Sequence, residues 1–90
     1  MNDRTELIIR KLLSALHSMP GGLCVRSVLK GSVDLEVRPN TLESEFSEAE
    51  IEAERAGWIV GVRPRFGAVK WSITDEGRAE HLKYQMENRR

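Results

Sequence analysis

Residues 54–82 read ERAGWIVGVRPRFGAVKWSITDEGRAEHL, and the order of signals in this stretch decides the fold. Glu54-Arg55-Ala56 closes a helical run and Gly57 stops it. Trp58 to Arg63 and Val69 to Thr74 are two runs of alternating character, each suited to a half-buried strand. Pro64-Arg65-Phe66-Gly67 supplies turn residues between them, which makes the pair a β-hairpin. By alternation, Trp58, Val60 and Val62 share the inward face of the first run. Val69, Trp71 and Ile73 share that of the second, so both tryptophans are expected to pack against the core. Thr74-Asp75-Glu76 opens a last helix, with carboxylates in the first turn where the helix dipole favours them. Ala79, Leu82 and Met86 form its apolar side, and it is expected to fray into Glu87-Asn88-Arg89-Arg90.

Upstream lies TLESEFSEAEIEAERAG, residues 41–57, with six glutamates and one arginine. Asn40 or Thr41 caps this helix, and Asn40 with Glu43 fits a capping box. Leu42, Phe46, Ala49, Ala53 and Ala56 step by four, three, four and three, an inward stripe of helical period. Glu43, Ser44, Ser47, Glu48, Ile51, Glu54 and Arg55 then point outward. Ser32 to Arg38 alternates polar and apolar residues, which predicts a half-buried strand closed by Pro39 and paired with the hairpin. Leu23 to Lys30 is a short helix whose apolar face is Cys24, Val25, Val28 and Leu29, with Gly31 as its cap. Val25 and Val28 would also suit a strand. Residues 4–19 form the first helix, capped by Asn2, Asp3 or Thr5. Its apolar positions are Leu7 or Ile8, Ile9, Leu12, Leu13, Leu16 and Met19, and Pro20-Gly21-Gly22 ends it.

The predicted order is helix, helix, short strand, helix, strand, strand, helix. Residues 54–82 resemble the third-helix end, wing and closing helix of winged helix-turn-helix regulators, the MarR-like and PadR-like groups among them. The resemblance rests on E-x-x-G-x-I (Glu54 to Ile59) and I-T-x-x-G-R (Ile73 to Arg78). It implies an α+β winged helix: a three-helix core, a small antiparallel sheet with a β-hairpin wing, and a C-terminal helix. One such domain spans 1–90. In those families terminal helices often build the dimer, which implies a homodimer here by resemblance only. Two features depart from that pattern. About ten residues (31–40) separate the second and third helices, where the compact DNA-reading motif uses three or four. The third helix is also acidic.

Ninety residues allow one core, and no apolar run approaches the length of a membrane span. The first residues lack the apolar block of a signal peptide, so cytoplasmic residence is expected. The single cysteine, Cys24, excludes an internal disulfide and, flanked by Leu23 and Val25, reads as a buried thiol. The net charge is zero, but residues 41–57 carry minus five and the rest of the chain plus five. Segregated charge of this kind creates local fields.

That segregation frames two functional readings. Carboxylates on a helix entering the major groove would raise the cost of approach to phosphate, so the third helix is not expected to read bases. The hairpin instead carries Arg63, Arg65 and Lys70 around a turn tipped by Phe66, and wings of this sort reach phosphates or the minor groove. Arg26 and Lys30, or Arg10 and Lys11, could extend that basic surface. The first reading is therefore a non-catalytic regulatory module that meets double-stranded DNA wing-first. The second is a protein-docking winged helix without DNA affinity. It would bind a basic partner through Ile51, Glu48, Glu54 and Arg55, an exposed apolar centre with a charged rim. No enzyme activity, cofactor or metal is expected. His17 and His81 have no ligand spacing, His81 reads as a surface residue, and the glycines at 57, 61 and 67 match no phosphate loop.

Overall fold

The computed structural model describes residues 2–19 and 22–87. Its elements run α1 (Asp3–Ser18), β1 (Cys24–Val25), α2 (Arg26–Asp34), α3 (Glu43–Arg55), β2 (Ile59–Val62), β3 (Lys70–Ile73) and α4 (Asp75–Glu87). Over the described residues the architecture is α+β: four helices and one three-stranded antiparallel sheet in the order β1-β3-β2.

Asn2 starts α1 by accepting the Thr5 backbone N–H at 2.7 Å, the N-cap role that its short side chain suits. Ile8, Ile9, Leu12, Leu13 and Leu16 are all buried, a stripe of helical period that forms one wall of the core. Cys24, Leu29, Val33, Val37, Phe46, Ala49, Ala53, Ile59, Trp71 and Ile73 complete that core. Leu7 is partly exposed, so Ile8 takes the inward place. Of the expected stop after α1, Pro20 and Gly21 lie outside the described residues, as do Asn88 to Arg90 at the other end.

The strand expected over 32–38 does not form. Val33 belongs to α2, and the Val37 N–H donates to the Val33 carbonyl at 3.1 Å, a helical step. Val33 and Val37 are both buried while Leu35 is 74% exposed. A spacing of four satisfies both strand and helix periods, and here the helical one holds. The third strand comes instead from Cys24 and Val25, where a helix was expected: Cys24 pairs with Trp71 and Val25 with Lys70. Gly31 sits inside α2 rather than capping it. The connection to α3 is then 35–42, shorter than expected. Asp34 organises it by accepting the Thr41 N–H and hydroxyl at 2.9 and 2.7 Å, while Lys30 pairs with its other oxygen at 3.0 Å.

Helix α3 begins after Leu42, not after Asn40 or Thr41. Glu45 accepts the Leu42 N–H at 2.9 Å, which is the reciprocal half of a capping box; leucine has no acceptor to make the other half. Phe46, Ala49 and Ala53 are buried as expected, but Leu42 and Ala56 are exposed at the two ends of the stripe.

The hairpin forms with the face of β2 reversed. Ile59 opposes Ile73 and Gly61 opposes Trp71, and these pairs face inward. Val60 and Val62, placed inward by the sequence, are about half exposed on the outer face with Lys70. Trp58 precedes the strand and is partly buried at the core margin. The cause is volume: a Cβ on Gly61 would sit 2.9 Å from the Trp71 ring, so a glycine must lie beneath that indole.

Helix α4 is also rotated from expectation. Its buried residues are Gly77 and His81, while Ala79, Leu82 and Met86 face out. The helix packs on α1: Arg10 meets Glu80 at 2.6 Å and the His17 and His81 rings lie 4.8 Å apart. Burial, then His17 and Arg10, pushes the His81 pKa below the ordinary histidine value.

Candidate site on the acidic helix and the basic hairpin

Glu43, Glu48 and Glu54 of α3 were expected to point outward, into solvent or toward a partner, and no partner within the chain was expected for any of its six glutamates. Five of the six instead meet a cation of the same chain. Glu45 receives Arg4 of α1 at 2.6 Å, Glu43 and Glu50 receive Arg26 at 2.7 and 2.8 Å, Glu52 receives Arg55 at 3.0 Å, and Glu54 receives Arg63 at 3.0 Å. Glu48 is the exception among the described residues. The helix is therefore acidic because α1, the start of α2 and the hairpin each turn an arginine onto it.

Glu50 is the innermost of these carboxylates, only 5% exposed. It accepts both the Arg26 Nε–H and the indole N–H of Trp71, which joins α2, α3 and β3 at one group. A buried carboxylate persists only when paired and hydrogen-bonded in this way. Arg26 also lies over the Phe46 ring at 5.1 Å and reaches the Ser47 hydroxyl at 3.2 Å. Burial alone would lower the Arg26 pKa, but Glu50 and Glu43 outweigh it and hold the guanidinium above its ordinary value. Sequence periodicity did not single out Glu50. Its one signal was position, directly after Ala49 and four residues past Phe46, on the flank of the buried stripe.

The residues nominated for DNA contact separate into two kinds. Arg63 is held: its Nη1 and Nη2 donate to the two oxygens of Glu54 at 3.2 and 3.0 Å, and its guanidinium lies 5.5 Å from the Trp71 ring centre. Arg65 and Lys70 are exposed and make no ion pair among the described residues. Lys70 stands on the outer sheet face between Val25 and Val62, and Phe66 at the tip is 85% exposed. No carboxylate occurs anywhere from Arg55 to Thr74.

Of the four cations proposed to extend the basic surface onto the first two helices, only Lys11 makes no ion pair among the described residues. Arg10 is taken by Glu80 and Glu6, Arg26 by Glu43 and Glu50, and Lys30 by Asp34. Of the residues nominated for protein contact, Ile51 is 53% exposed and Glu48 stands free beside it. Arg55 pairs along its own helix with Glu52, and Glu54 belongs to Arg63, so the acidic rim around Ile51 is thinner than the sequence implies. Glu54 and Arg63, assigned from sequence to two opposite surfaces, are one ion pair.

Comparison of the chain with protein-family models, curated proteins and solved structures gave no match. Among the described residues no helix is long and apolar enough to cross a membrane. No group of three or more His, Cys, Asp or Glu there is arranged to hold a metal ion. Cys24 is buried, and burial raises its pKa, which keeps the thiol protonated and unreactive.

Proposed function

We propose that this chain is a non-catalytic winged-helix module that contacts the phosphate backbone of double-stranded DNA with its β2–β3 hairpin, through Arg65 and Lys70. The observation that carries the reading is the distribution of unengaged charge. The hairpin holds two exposed, unpaired cations in a stretch without carboxylates, whereas Arg10, Arg26 and Lys30 are engaged inside the fold; Lys11 on α1 and Lys83 on α4 are the other lysines without an ion pair among the described residues. The helix order and the three-stranded antiparallel sheet are compatible with a winged helix. In this reading α3 stays out of the groove. Its exposed side carries Glu43, Glu48 and Ile51, and its one cation, Arg55, sits beside Glu52, so phosphate would meet mostly carboxylate there.

Two phosphate contacts give weak, sequence-independent binding whose logarithm falls with log salt at a slope of about −2. Titration of a generic duplex at several salt concentrations tests this. The reading expects binding at low salt that flattens by about one slope unit in either Arg65→Ala or Lys70→Ala. Absence of binding at low salt, or binding unchanged in both variants, would overturn it.

A second reading follows from Ile51, which stands 53% exposed beside the unpaired Glu48. Here α3 docks a protein, and no DNA is bound. A partner retained by the unaltered chain and lost with Ile51→Glu, together with no duplex affinity, would favour it.

A further inference from the structure

The Arg63–Glu54 pair differs from the Glu50 and Glu45 pairs, the other contacts that tie α3 to distant elements through a shielded carboxylate, in how it is built. Glu50 is buried beneath its partners, and Glu45 is held by Arg4 and by the Leu42 N–H. Glu54 has Arg63 alone, with side chains 36% and 61% exposed. An ion pair that open to water is worth little and exchanges readily. The guanidinium is nevertheless well placed. It rests on the indole of Trp71, and a Cβ on Gly61 would lie 3.1 Å from its Nη1, so the site beneath it is shaped for it.

We propose that Arg63 is a third phosphate-binding group of the hairpin, held in reserve by Glu54, whose carboxylate stands where a backbone phosphate of DNA comes to sit. This inference rests on the DNA-binding reading above. A carboxylate and a phosphodiester present the same two-oxygen edge to a guanidinium, so the two compete for one fork of N–H donors. The fork already has that geometry, with both Glu54 oxygens engaged at 3.0 and 3.2 Å. Arg63 lies two residues before Arg65, with its guanidinium on the Trp71 side of the hairpin and Lys70 on the other, so the phosphate it would take is one that a duplex seated at the turn by Arg65 presents to the α3 side. Binding exchanges one anion for the other, and Glu54 turns into solvent from a surface position. The free chain thus carries one fewer available cation than its sequence counts, and the contact sets a threshold on affinity.

The test compares the unaltered chain with Glu54→Gln, Arg63→Ala and the double variant on a generic duplex across salt concentrations. Glutamine keeps the shape of Glu54 and removes its charge, and unchanged thermal midpoints establish that the variants fold. Glu54→Gln is expected to tighten binding about two- to fivefold and steepen the salt slope by up to about one unit. That gain is expected to vanish in the Arg63→Ala background. No gain from Glu54→Gln would overturn the inference, as would an equal gain in both backgrounds, since that is a bare charge effect. In either case, binding that still depends on Arg65 and Lys70 leaves the DNA reading standing. No duplex binding by any of the four proteins overturns both.

Discussion

The indole N–H of Trp71 donates to the carboxylate of Glu50, joining the middle strand of the sheet to the most acidic helix of the chain inside the core. Arg26 closes the arrangement from α2. Removing the indole donor with Trp71→Phe keeps most of the ring volume and leaves the buried carboxylate with one fewer hydrogen bond. The expected cost is about 1–3 kcal/mol in urea unfolding. A loss close to zero would mean that this bond contributes nothing to the fold.

Gly77 lies in the first turn of α4 against the backbone of Trp58, and a Cβ there would collide with the Trp58 carbonyl. Gly77→Ala must push α4 off the end of the sheet. The expected loss is about 2–4 kcal/mol, larger than the ~1–3 expected of Gly61→Ala, where the obstruction is side chain. Thermal melts of the two variants check the ranking.

Helix α4 makes a further prediction through the side it turns outward. Leu82 and Met86 are 48% and 74% exposed. Leu82→Ser and Met86→Ser are each expected to change stability by less than ~0.5 kcal/mol. As core residues, the role their spacing suggested, each would cost roughly 2–4 kcal/mol. Urea midpoints separate the two outcomes.

Acid stability is expected to fall in two steps. His81 is held below its ordinary pKa, chiefly by burial and then by His17 and Arg10, so the folded chain takes up its proton less readily than the unfolded one. Its contribution is complete above the unfolded value of about 6.5 and is lost as pH falls from there toward the folded value. Asp34 and Glu45 are also depressed. Burial raises Asp34, but hydrogen bonds from Thr41 and Lys30 more than offset it, and Arg4 lowers Glu45. Their contributions are present above the ordinary carboxylate range near ~4 and are lost below it. Thermal midpoints between about pH 7.5 and 5 should therefore decline for the unaltered chain and stay nearly level for His81→Leu. An equal decline in both proteins would show that His81 is not the group responsible.

The stretch over 54–82 was legible because its special residues have single physical causes. Gly57 ends α3 at a positive φ of 83°, Thr74 donates to its carbonyl at 2.6 Å and accepts the Gly77 N–H at 3.0 Å, and Gly77 fits against Trp58. Those residues tie helix end, hairpin and helix start into one joint. Periodicity failed where two periods coincide or where the apolar residue is not the buried one. Val33 and Val37 fit strand and helix alike, and Val60 and Val62 outweigh Gly61 in any apolar count though Gly61 takes the inward face opposite Trp71. On α4 the inward anchors are a glycine and a histidine, which no apolar stripe reveals. Charge was the least legible feature. Counting glutamates on α3 and arginines on the hairpin gave two opposite surfaces, because pairing between distant elements, such as Arg4 with Glu45, leaves no mark in sequence.

Helix α3 is acidic for the sake of its own neighbours, and the unfolding free energy of Arg26→Met, set beside that of Glu48→Gln, tests this most directly. Methionine keeps an unbranched side chain of similar length and removes both the guanidinium that lies over Phe46 and the charge that Glu50 faces in the core. The expected losses are about 2–4 kcal/mol for Arg26→Met and under ~0.5 for the unpaired, exposed Glu48. Equal and small losses in the two variants would show the glutamates of α3 to be solvated surface charge, and would contradict the account.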